Sequence, residues 1–144
     1  MQKGPVRVLI VDDSRANRMI LQNVFRYFGQ DTIEAENGPD ALWFLGEDTN
    51  IDLITVDFHM PKMTGIQFVR LLREKPDFKS IPILMISMEA RPEIQAEALA
   101  AGVNEFLVKP FTEEMIGEKL RALGIIGKGQ NPAEPGSAQA PSDV

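Results

Sequence analysis

Short apolar runs alternate with amphipathic stretches through most of the chain. Val6-Arg7-Val8-Leu9-Ile10-Val11 is β-branched and nearly all apolar, the pattern of a strand buried on both faces. Ser14 is placed to cap a helix with apolar positions Met19, Ile20, Val24, Phe25 and Phe28, ending at Gly29. Asp31–Glu36 reads as a short strand. Asn37-Gly38 reads as a turn, and Pro39 suits the first position of a helix through Leu45, closed by Gly46. Leu53–Val56 is a third buried strand, and Thr64–Arg73 has helical spacing through Ile66, Val69 and Leu72. Ile83–Ile86 is a fourth strand, and Pro92 opens an alanine-rich helix that stops at Gly102. Glu105–Val108 is a fifth strand. Thr112 caps a last helix, with Glu113 and Glu114 favouring its positive end and Leu120 and Leu123 on its inner face.

Five repeats of strand then helix predict an α/β fold, a doubly wound parallel sheet with helices on both faces. Ligands of such folds bind beyond the carboxyl ends of the strands. Residues 1–126 form the expected domain. Residues 127–144 are rich in Gly, Pro, Ala and Ser, and only Val144 is a large aliphatic. Burial cannot offset the ordering entropy of such a segment, so a flexible tail or linker is expected there.

Composition removes several function classes. The chain has 144 residues, with 15 Lys plus Arg against 21 Asp plus Glu, for a net charge of −6. That acidic balance argues against a nucleic-acid surface, which needs clustered cations. No cysteine excludes disulfides, thiol catalysis and Cys-based zinc sites. A single histidine excludes a multi-His metal centre. No apolar run approaches the roughly 20 residues of a membrane span, and none forms a signal-peptide core. No membrane partner and a cytoplasmic location are expected.

The residues after each strand carry the chemistry. Asp12 and Asp13 follow the first strand, Asp57 the third, Ser87 the fourth, and Lys109 and Pro110 the fifth. Three carboxylates, a hydroxyl and an ammonium therefore converge on one rim of the sheet. Close carboxylates repel, and burial worsens it; a divalent cation relieves both. Oxygen donors without Cys point to a hard ion such as Mg²⁺. Metal and ammonium together neutralise charge on a transferring phosphoryl group, and a carboxylate can serve as its acceptor. Asp57 is the candidate acceptor, because Asp12 and Asp13 are adjacent and suit metal holding.

Four motifs then carry a resemblance: Val11-Asp12-Asp13-Ser14, Val56-Asp57-Phe58-His59-Met60-Pro61 with Gly65, Ile86-Ser87, and Val108-Lys109-Pro110-Phe111. In this order and spacing the chain, from about Val6 to Leu123, resembles the receiver domain of bacterial two-component response regulators, a CheY-like, flavodoxin-like fold. The resemblance implies strand order 2-1-3-4-5 and phosphorylation of Asp57 by a phosphohistidine on a sensor histidine kinase or phosphotransfer protein. It implies Mg²⁺ on Asp13, Asp57 and the His59 carbonyl, with Asp12 nearby. Lys109 would contact the phosphoryl group and Ser87 would swing to it. Phe106, three residues before Lys109, would move inward with Ser87. Many relatives have Tyr at this place, so an output contact through its hydroxyl is absent here. The reading is a signalling receiver with self-catalysed phosphotransfer and dephosphorylation rather than an enzyme. It would be a stand-alone chemotaxis-type regulator with an unknown output protein. A receiver cut from a longer regulator stays open.

At the rim, His59 is either a solvated loop histidine or tunes hydrolysis, and Glu89 faces the same rim and is placed to pair with it. Met88 stands where the family has a small residue, and is expected to narrow access. Arg15, Asn17, Arg18 and Met19 form either a solvated helix face or, by resemblance, a kinase-docking face. Three other classes compete. A haloacid dehalogenase-type phosphatase needs Asp-x-Asp after its first strand, which is missing. A flavodoxin-like flavin binder needs a Ser/Thr-rich loop there, also missing. A pseudo-receiver would lack part of the acid, hydroxyl and lysine set, which is intact.

Overall fold

Five strands, β1 (Arg7–Val11), β2 (Asp31–Ala35), β3 (Leu53–Val56), β4 (Ile83–Ser87) and β5 (Glu105–Val108), pair in parallel in the order β2-β1-β3-β4-β5. The computed structural model describes residues 4–126. The helices α1 (Arg15–Tyr27), α2 (Gly38–Glu47), α3 (Gly65–Arg73) and α4 (Pro92–Ala101) fill the four crossovers, and α5 (Glu113–Ala122) follows the last strand. The doubly wound sheet expected from the alternation is the one observed, and the tail expected over residues 127–144 lies outside the described residues.

Strand side chains alternate between two cores, as a period of two requires. Leu9, Val11, Ile54, Val56, Ile83 and Met85 pack with Ala41 and Leu45 of α2, Phe68 and Leu72 of α3, and Ala98 of α4. Val8, Ile10, Leu53, Leu84 and Ile86 face the other way, against Leu21 and Phe25 of α1 and Ile116 and Leu120 of α5. Both faces of β1, β3 and β4 are thus dry, which is why these strands read as nearly continuous apolar runs. Each such fully buried side chain contributes about 1.5–3 kcal/mol.

The helix starts are fixed by short side chains. Ser14, Asn37, Thr64 and Thr112 each accept a hydrogen bond from a backbone N–H in the first turn. At α3 the cap is reciprocal, with Gln67 bonding back to the Thr64 N–H at 2.8 Å. Asn37, expected as a turn residue, is therefore a cap, and α2 runs through Gly46 to Glu47. Two expectations for α1 need correcting. Met19 and Ile20 are exposed, because the inward stripe runs Leu21, Val24, Phe25, Phe28 at helical spacing. A 3₁₀ turn at Pro76–Phe78, which the sequence pattern did not suggest, links α3 to β4.

Candidate functional site

The strands end along one edge, and the parallel ladder continues one residue past them. Asp12 N donates to Ala35 O (3.1 Å), Asp57 N to Val11 O (3.1 Å) and Lys109 N to Ser87 O (2.9 Å). The backbones that bear the two acids and the lysine are thereby held by the sheet itself. Their side chains meet above it. Lys109 Nζ lies 3.3 Å from Asp12 Oδ2 and 3.4 Å from Asp57 Oδ2. Asp12 is 2% exposed and Asp57 9%, whereas Asp13 is exposed. One carboxylate oxygen from each of the three acids lies within 4.8 Å of the other two.

The electrostatics of this cluster are those of a cation site. Burial pushes the Asp12 carboxyl above its ordinary value, opposed by the Ser14 N–H and the Lys109 ammonium and reinforced by the Asp57 charge. The Ser14 N–H donates to Asp12 Oδ1 at 2.9 Å and the His59 N–H to Asp57 Oδ1 at 3.3 Å. Three carboxylates against one ammonium leave a formal charge of −2. Clustered hard oxygens with that charge fit a divalent cation of the Mg²⁺ class.

Ser87 is fully buried at the end of β4, and its Oγ accepts the Glu89 N–H at 3.2 Å. Phe106 lies half-buried on β5, opposite Met85 in register, packed against the core under α4. The peptide between Lys109 and Pro110 is cis. Gly65 opens α3 with its N–H on the Phe58 carbonyl at 2.9 Å. A Cβ there would collide with the Asp57 carbonyl, so only glycine lets α3 approach the acid this closely.

Around the rim, His59 Nε2 lies 3.3 Å from Glu89 Oε1. Glu89 is 8% exposed and is held chiefly by Arg91, a residue that sequence reasoning missed. Arg91 donates to it from Nε (2.7 Å), Nη2 (3.0 Å) and the backbone N–H (3.1 Å). Those bonds lower the Glu89 carboxyl to about 2. Met88 is 77% exposed and joins neither core. On α1, Arg18 turns inward, donating to the Asp12 carbonyl at 2.7 Å and to Glu34 at 2.8 Å, while Arg15 and Met19 face solvent. No helix among the described residues is long and apolar enough to cross a membrane.

Known proteins are similar to this chain in sequence and in fold. The sequence model of the response regulator receiver domain matches residues 8–121. A chemotaxis protein CheY homolog of Campylobacter jejuni is 35% identical over 130 residues, covering 90% of this chain and all of the relative. The chemotaxis protein CheY of Pseudomonas aeruginosa is 40% identical over 119 residues, covering 82% and 95%. The crystallised chemotaxis protein CheY4 of Vibrio cholerae superposes with a TM-score of 0.78 at 34% identity, covering 83% and 99%. With the family's match spanning most of the chain and the strand order of its fold in place, the protein belongs to the response regulator receiver domains, of the CheY-like kind.

Proposed function

We propose that Asp57 accepts a phosphoryl group from a phosphohistidine on a sensor histidine kinase or phosphotransfer protein. One observation carries the reading: a nearly buried carboxylate lies beside the Lys109 ammonium and two further acids. In the step, an Asp57 carboxylate oxygen attacks phosphorus, the bond from phosphorus to the imidazole nitrogen breaks, and the electron pair leaves with the imidazole. The product is an acyl phosphate, which water later hydrolyses.

Asp12, Asp13, Asp57 and the His59 carbonyl would hold Mg²⁺, which when bound neutralises charge on the transferring group. Lys109 moves its hydrogen bond from the two acids to a phosphoryl oxygen. Ser87 gives up the Glu89 N–H and donates its hydroxyl to another phosphoryl oxygen. Phe106 follows into the space that Ser87 leaves. The face of α4, β5 and α5 then changes shape for an output protein. Residues 1–126 act as the receiver unit, a signalling device rather than a metabolic enzyme, working in the cytoplasm. The match to the whole length of the Campylobacter relative supports a regulator acting through protein contacts.

Intact mass after incubation with acetyl phosphate and Mg²⁺ tests this. One added phosphoryl group is expected on the native chain. None is expected on Asp57→Asn or with a chelator present. An adduct that survives in Asp57→Asn overturns the assignment of the acceptor.

A further inference from the structure

Glu89 is a nearly buried carboxylate at the rim of the acceptor site, and the phosphotransfer step above gives its side chain no task. Its neighbours are specific. Arg91 grips it with two guanidinium nitrogens and a backbone N–H, and His59 adds an edge contact from the β3–α3 loop. His59 in turn places its backbone N–H on Asp57 Oδ1. An unbalanced negative charge at this place would face an incoming phosphate, itself an anion. Arg91 sits at the N-cap of α4 but makes no side-chain capping bond there, so capping does not account for its conformation. Its guanidinium hydrogen bonds go to Glu89, with the Glu93 charge a lesser attraction.

We propose that Arg91 is a positioning residue that masks the Glu89 charge and so admits the anionic phosphoryl donor to Asp57. The inference rests on the acceptor reading above and adds the control of donor entry. Glu89 keeps the backbone of the β4–α4 loop in place through its N–H on Ser87 Oγ, while Arg91 keeps its carboxylate from opposing the donor.

The test is the second-order rate of Asp57 phosphorylation by acetyl phosphate with saturating Mg²⁺, for four chains. Arg91→Ala is expected to slow the reaction by about five-fold, with a smaller loss at high ionic strength. Arg91→Ala combined with Glu89→Gln is expected to return to the native rate, because the charge to be masked is gone. Arg91→Lys is expected to stay within about two-fold of native, since it keeps the cation but loses the fork. Circular dichroism establishes that each variant is folded. A native rate in folded Arg91→Ala overturns the proposal. So does a slow Arg91→Ala that Glu89→Gln fails to rescue, which would make Arg91 a tether for the loop. No adduct on the native chain would instead overturn the acceptor reading, and this inference with it.

Discussion

Single atoms decide much of this site. Gly65 is the clearest case, since a methyl there would fall on the Asp57 carbonyl and crowd the Met85 side chain. Gly65→Ala must push back either α3 or the acceptor. The expected cost is about 2 kcal/mol in urea unfolding, with slower uptake of phosphoryl from acetyl phosphate because Asp57 shifts. A substitution that left both unchanged would show that the contact relaxes freely. Residues at strand ends were legible in the sequence because a buried strand announces its last residue: apolar run, then Asp12, Asp57, Ser87 or Lys109. The Glu89–Arg91 clamp was not legible. Its two charges lie in a loop, where no periodicity says which way a side chain turns, and the fork forms only because the chain bends between them. Arg18 was placed on the right helix but read as a surface group. Its inward turn depends on the Asp12 carbonyl and Glu34 arriving from two other elements.

At the scale of elements, helix starts position the loops that carry the chemistry. The reciprocal cap of Thr64 and Gln67 fixes where the β3–α3 loop ends and α3 begins. Thr64→Ala, which removes the Oγ1 half of the box, is expected to cost about 1 kcal/mol in chemical denaturation, and Gln67→Ala, which removes the other half, somewhat less. A Gln67→Ala chain as stable as native would mean that the Gln67 half of the box contributes nothing. Strands and helices were readable in order and nearly in extent, since each has its own period and stop signals. The sequence misled where local signals were ambiguous. Asn37-Gly38 reads as a turn ahead of a helix from Pro39, whereas the Asn37 side chain caps that helix by accepting the Asp40 N–H. Met19 and Ile20 look like core residues by composition alone. Only the stripe beginning at Leu21 shows that they point outward.

For the whole molecule, charge and stability are linked through the acidic rim. Three carboxylates gathered at one edge oppose folding, and a divalent cation that binds only the folded chain reverses this. At about ten times its dissociation constant, Mg²⁺ is expected to add about 1.4 kcal/mol to unfolding free energy. Asp13→Asn is expected to abolish that response while leaving the metal-free chain at least as stable as native, because a like charge has been removed. Thermal unfolding with and without Mg²⁺ reads both effects. A native-sized response in Asp13→Asn would exclude it from the cation site.

The backbones of Asp12, Asp57 and Lys109 are stitched into the ladder that runs through the centre of the protein. They behave as an anvil: whatever lands on Asp57 meets a support that does not yield. On the proposed reading, motion would be left to the side chains of Lys109, Ser87 and Phe106 and to the loops bearing His59 and Glu89. A fixed support beneath a movable rim turns a small chemical event at one point into displacement at the periphery rather than strain in the middle. On the proposed reading the sheet would stay the same object before and after, and the switch would be thrown and reset without partial unfolding.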